Sequence, residues 1–232
     1  MPRRRADVSR RTARMPQRIS FNRIAYTAPP FAGGVLQVMR MVRSSHIAAA
    51  ALLAALLGGC GGAAPLTFDL AALPAAGRPI AAGRSIAVSE PVSIQPFEAD
   101  RIIVRENGGA LSFLGGGQWA DRLPRLIQTR LIQSLENSGR LRSVSRPGDK
   151  VVADYQLISE IRAFDVQSGT GEAVVDLSLK LVADGTGRVA AARIFTARVP
   201  VSKIDAGSGA RALDQALSIV LADVVRWVNS GR

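Results

Sequence analysis

The sequence predicts an α+β fold, a sandwich-like single domain over residues 66–229: a mainly antiparallel sheet with two amphipathic helices covering one face. Three observations carry this. Residues 152–166, 172–182 and 189–201 alternate apolar and polar side chains, the signature of strands covered on one side only. Residues 121–137 and 210–229 instead place apolar residues at i, i+3 and i+4, the spacing of one helix face. The chain is also 47% hydrophobic and 21% charged, which fits a globular domain rather than a disordered or fibrous one.

Taken in order, Leu66–Leu70 reads as a first short strand and residues 71–83 as a small-residue link punctuated by Pro and Gly. Ser85–Ile94 is a strand in which Pro91 forces a bend or an edge position. Segments 102–106 and 110–114 flank Asn107-Gly108-Gly109, a strong hairpin signal because Asn and Gly tolerate positive φ. Gly115-Gly116-Gly117 is expected to be a loop; no Gly-Lys-Ser/Thr follows, so it is no phosphate cradle.

Asp121 is placed to cap the first helix, with Pro124 tolerable in its first turn. Leu123, Leu126, Ile127, Arg130, Leu131, Ser134 and Leu135 form its stripe, and Ser138-Gly139 stops it. Leu141–Ser145 is a short strand and Arg146–Asp149 a turn. In the three long strands, Ala153, Tyr155, Leu157 and Ile161, then Ala173, Val175, Leu177, Leu179 and Leu181, then Val189, Ala191, Phe195, Ala197, Val199 and Val201 mark the inner face; Arg193 interrupts the last series. Gly207-Ser208-Gly209 reads as loop plus N-cap. Leu213, Ala216, Leu217, Val220, Val224, Trp227 and Val228 are the stripe of the final helix.

Upstream of this body the composition changes. Residues 1–59 carry 10 Lys+Arg against a single acid, Asp7, whereas residues 60–232 carry 20 against 17. The net charge of +12 therefore belongs mostly to the first quarter, and the body lacks the basic excess that nucleic-acid binding requires. Residues 39–59 read as a secretory signal: a short basic lead, Met41-Val-Arg43-Ser-Ser-His46, then Ile47–Leu57, apolar and without charge. As a helix that run reaches about 16 Å, half of a bilayer core of about 30 Å, so it is too short to span.

Leu57-Gly58-Gly59-Cys60 closes the signal with an aliphatic residue, two small residues and a thiol. This is the pattern of a bacterial lipobox, in which the cysteine takes a diacylglyceryl group and, after cleavage before it, an N-acyl chain. Two or more acyl chains anchor firmly where one gives marginal binding. Residues 60–65 make a flexible tether. The plainer alternative is a chance cysteine at the end of an apolar helix. Residues 1–38 fit no part of a signal; they are read as an over-extended or disordered N-terminus, with Met39 or Met41 as the true start, the competing reading being a basic nucleic-acid-binding arm.

Chemistry in the body is sparse. His46 is the only histidine and Cys60 the only cysteine, which leaves the body no Ser-His-Asp triad, no Cys-His pair and no His- or Cys-ligated zinc within one chain. Asp154 with Glu160, and Glu172 with Asp176, are expected on solvated sheet faces. No loop has calcium-binding spacing. The expectations are no catalytic site, no metal and no cofactor beyond the lipid on Cys60. Trp119 and Trp227 sit near helix ends and are read as core or cap residues, or as partner-contact anchors.

Several segments together resemble a known family: the lipobox; Thr67-Phe68-Asp69-Leu70; Ser85-Ile86-Ala87-Val88; Phe97-Glu-Ala-Asp-Arg101-Ile-Ile-Val-Arg105 before a Gly-Gly hairpin; Trp119 opening an amphipathic helix; Ala153-Asp154-Tyr155-Gln156-Leu157 leading to Phe164; and a last helix ending in Trp227. In order and spacing, the whole is similar to the ABC-type transport auxiliary lipoproteins, the family of the lipoprotein component of paraquat-inducible intermembrane transport systems.

The resemblance implies a non-catalytic protein that accompanies an ABC ATPase, a permease and an MCE-domain protein in moving phospholipid or other hydrophobic compounds between two membranes. It also implies a place on the outer membrane facing the periplasm, since Gly61 rather than Asp follows Cys60, and leaves room for a homo-oligomer. Two other classes remain open from residues alone: a structural lipoprotein docking on an assembly such as a peptidoglycan synthase, and a periplasmic enzyme with an acid-only site.

Overall fold

The computed structural model describes residues 64–76 and 83–230, so the signal, Cys60 and most of the tether lie outside the described residues. These residues hold nine strands, one 3-10 turn and two helices: β1 Leu66–Phe68, β2 Ser85–Val88, β3 Val92–Ser93, the turn Gln95–Glu98, β4 Arg101–Arg105, β5 Leu111–Trp119, α1 Leu123–Asn137, β6 Ser143–Ser145, β7 Tyr155–Gln167, β8 Glu172–Ala183, β9 Val189–Pro200 and α2 Ala206–Ser230.

All nine strands join one sheet organised about β7. One edge of β7 is paired along its length with antiparallel β8, which pairs in turn with antiparallel β9. The other edge receives three short strands in succession, all parallel: β2 at Tyr155–Leu157, β3 at Glu160–Ile161 and β4 at Asp165–Gln167. Beyond β2 lies parallel β6; beyond β4 lie antiparallel β5 and then parallel β1.

The sheet is therefore mixed, not mainly antiparallel as the alternation suggested. The reason is physical. Alternation was readable only in β7–β9, which are antiparallel to one another; strands of two to four residues have no period to read. β2 is buried at all four positions, as a strand with both faces covered should be.

Other expectations shift as well. Ser85–Ile94 is broken at Ser89–Pro91 into two strands. Gly115–Gly117 lies inside β5 rather than in a loop. Asp121 does not cap α1: Arg122 holds the cap position, and the Asp121 carboxylate accepts the Arg122 N–H at 2.8 Å and pairs with Arg125. α2 begins four residues early. Its cap is Asp205, whose carboxylate accepts the Ser208 N–H at 2.8 Å, so Gly207-Ser208-Gly209 forms the first turn.

The inner faces of β7–β9 pack with both helices into one continuous core. A bulge between Ile161 and Ala163 changes the phase of β7. Leu157 and Ile161 precede it on the inner face, and Phe164 and Val166 follow on the same face, opposite Val175 and Ala173. Phe164 thus meets Trp119 edge-on, with ring centres 5.7 Å apart.

Candidate functional site

The described residues carry no cluster of three or more acids, histidines or cysteines able to hold a metal ion. Their carboxylates are largely committed to structure. Asp154 accepts the Ser85 N–H at 2.8 Å where β2 meets β7, and Glu172 and Asp176 face Arg198 and Arg162 at 3.4 and 3.7 Å. Asp165, fully buried, takes two hydrogen bonds from Arg105. Glu106 is held below the usual carboxylate range by the hydroxyls of Ser168 and Ser112. Asp205 is held low chiefly by the Ser208 N–H. These groups pin loops and helix ends; the acid pairs named from sequence do not converge.

Trp119 and Trp227 are not brought together. Trp119, 1% exposed, has no surface to offer a partner and is a core residue. Trp227 packs edge-on against Phe195, with ring centres 5.5 Å apart, and presents only an edge to an open pocket at the C-terminal end of α2. Cys60, Leu57, Gly58 and Gly59 lie outside the described residues.

The chain reaches the domain through β1, an end strand paired with Gly117–Trp119. A Cβ on Gly117 would lie 2.5 Å from the Ala206 Cβ and 2.7 Å from the Phe68 ring, so only glycine lets β1, β5 and the start of α2 meet. Residues 69–76 then run as an extended strap across the helices. The Ala71 N–H reaches Asp214 on α2 at 2.6 Å. Arg130 binds Asp69 at 2.5 Å, the Ser134 hydroxyl accepts the Leu73 N–H at 3.1 Å, and the Asn137 amide donates to the Leu73 carbonyl at 2.7 Å.

Sequence reading took Asp69 and Leu70 for the end of the first strand, which stops at Phe68, and residues 71–83 for a link. The signal for the strap lay in α1: Arg130 and Ser134 fall within the stripe and Asn137 continues their helical spacing, a polar row with no purpose in an apolar interface. Between strap and helices runs a groove of about 360 Å³ bounded by Leu73, Pro74, Ser138, Val225 and Asn229. The Asn229 side-chain oxygen there is buried without a hydrogen-bond partner.

The arrangement is that of a mixed α/β module whose polar groups fasten its own parts. Known proteins narrow this further. The family model of the ABC-type transport auxiliary lipoprotein component matches residues 67–225, and the chain belongs to that family. It is 32% identical over 177 residues to an uncharacterized protein of Bradyrhizobium diazoefficiens; the match takes in 72% of this chain but only 46% of that relative, under half its length. A crystal structure of a protein from Xanthomonas campestris is similar at 26% identity and a TM-score of 0.63, over 71% of this chain and 95% of that one. A second crystal structure, of an uncharacterized protein, shares the fold at 15% identity and a TM-score of 0.57, over 71% and 98% of the two chains.

Proposed function

We propose that this protein is the non-catalytic, lipid-anchored auxiliary component of an MCE-type ABC transporter. On this reading it stands on the outer membrane facing the periplasm, and supports movement of phospholipid or another hydrophobic substrate between two membranes. The observation that carries the reading is the occurrence in one chain of Leu57-Gly58-Gly59-Cys60 and, a few residues on, a family domain spanning residues 67–225. The commitment of the domain's carboxylates to structural bonds supports a docking role over a chemical one.

The physics is consistent. Hydrophobic cargo costs about 0.8 kcal/mol per CH₂ exposed to water, so it needs a protein path. An anchored domain raises the effective concentration of its docking surface beside that path. ATP hydrolysis falls to a separate subunit.

The test compares the wild type with Cys60→Ala in fractionated cells, followed by affinity capture. The wild type should sediment with outer membranes and bring down an MCE-domain protein, a permease or an ATPase. The variant should appear in the periplasmic fraction. A variant still bound to membrane refutes the anchor; a wild type that captures no transporter subunit refutes the transport role.

A further inference from the structure

The inner face of β9 is apolar at Phe195, Ala197 and Val199, yet the same face carries Arg193, in register with buried Leu179. Arg193 is exposed, at the margin of that face. Among the described residues no carboxylate forms an ion pair with Arg193. Its guanidinium is instead held over the Phe195 ring, 5.2 Å from the centre, and that ring is braced by Trp227.

Arg193 opens onto the pocket at the C-terminal end of α2, about 460 Å³, whose other walls are Asp223, Arg226, Trp227 and Ser230. Asp223 is taken by Arg226, one turn on in the same helix. Among the described residues the pocket thus holds two guanidiniums and one carboxylate, an excess of one positive charge. The last-turn carbonyls of α2, which would repel an anion, are partly occupied: Ser230 donates to the Trp227 carbonyl at 2.8 Å and Arg84 to that of Val228 at 3.3 Å.

We propose that this pocket binds a phosphate group, with Arg193 as the principal donor and Arg226 as the second. A guanidinium fork matches two phosphate oxygens, and each of those oxygens keeps a lone pair that can accept from a second guanidinium. The phosphate is a mono- or diester, carried on a free solute or on a lipid headgroup. The site stands on its own geometry, and it holds or fails independently of the transport role.

The test is a ³¹P NMR titration of the full chain in non-ionic detergent at low salt. One arm uses inorganic phosphate; the other uses dihexanoyl phosphatidylglycerol below its micelle concentration. Saturable line broadening is expected, weakened about tenfold or more in Arg193→Gln, less in Arg193→Lys, and unchanged in Lys180→Gln on the opposite sheet face. Saturation in the phosphate arm marks a solute site, and saturation in the lipid arm alone marks a headgroup site. Arg193→Gln is exposed and should keep the wild-type circular dichroism spectrum. The proposal is overturned if neither arm saturates, if folded Arg193→Gln titrates like the wild type, or if Lys180→Gln weakens binding equally.

Discussion

Arg105 delivers two hydrogen bonds, at 3.1 and 2.8 Å, to Asp165, a side chain with no solvent exposure on the face of the sheet turned away from the helices. The bulge at Ile161 and Ala163 sets this up. Strict alternation from Leu157 would have turned Asp165 into the apolar core and Phe164 out of it.

Removing one partner of that pair strands a buried charge. Arg105→Ala should lower unfolding free energy by about 3 kcal/mol, read as the urea midpoint. Replacing both residues by leucine should recover most of the loss. If Arg105→Ala and the double variant unfold alike, the pair is not what holds this region.

Gly117→Ala forces a methyl group against Ala206 and Phe68. We expect a loss of about 1–3 kcal/mol from overpacking in thermal or urea melts. Gly108→Ala is a different case: nothing lies near its added methyl, but its φ of +90° is one that L side chains rarely adopt, so the cost there is backbone strain alone.

Asp205 links stability to pH. Folding holds its carboxyl below the ordinary value, so its contribution is present above the unfolded pKa of about 4 and is lost as pH falls through the lower folded value. Asp205→Ala should lower the urea midpoint at pH 7, and the gap to the wild type should narrow as pH falls below about 4. A gap that persists there would mean that the cap's charge plays no part.

Asn137→Ala removes the bond to the Leu73 carbonyl and should cost about 1 kcal/mol. Hydrogen exchange locates the effect: amides of residues 71–76 should exchange faster, while those of β7 and β8 keep wild-type protection. Equal acceleration in β7 would show that the strap is part of the global folding unit.

The sequence made the long elements plain. β8 alternates from Val175 onward, and the stripe of α2 keeps its helical period through Val228, so the burial of these stretches followed directly. What stayed hidden depends on contacts distant in the chain. The parallel pairing of β2 with β6 and β7 joins segments too short to show a pattern. Gly117 looked like one of three turn glycines because the Ala206 methyl that demands it lies 89 positions away. The β7 bulge left no mark in composition, so the burial of Asp165 could not be read. Leu57–Cys60 lies outside the described residues, and the Cys60→Ala fractionation tests its reading as a lipobox.

The strap has a mechanical corollary. Force entering from the N-terminal side would first load the three-residue ladder between β1 and β5, the weakest seam in its path. Behind that seam, bonds to Arg130, Ser134, Asn137 and Asp214 divide the remaining tension between both helices. β1 would peel away as a sacrificial fuse while the sheet and helices stay intact, letting the domain yield to a tug without unravelling.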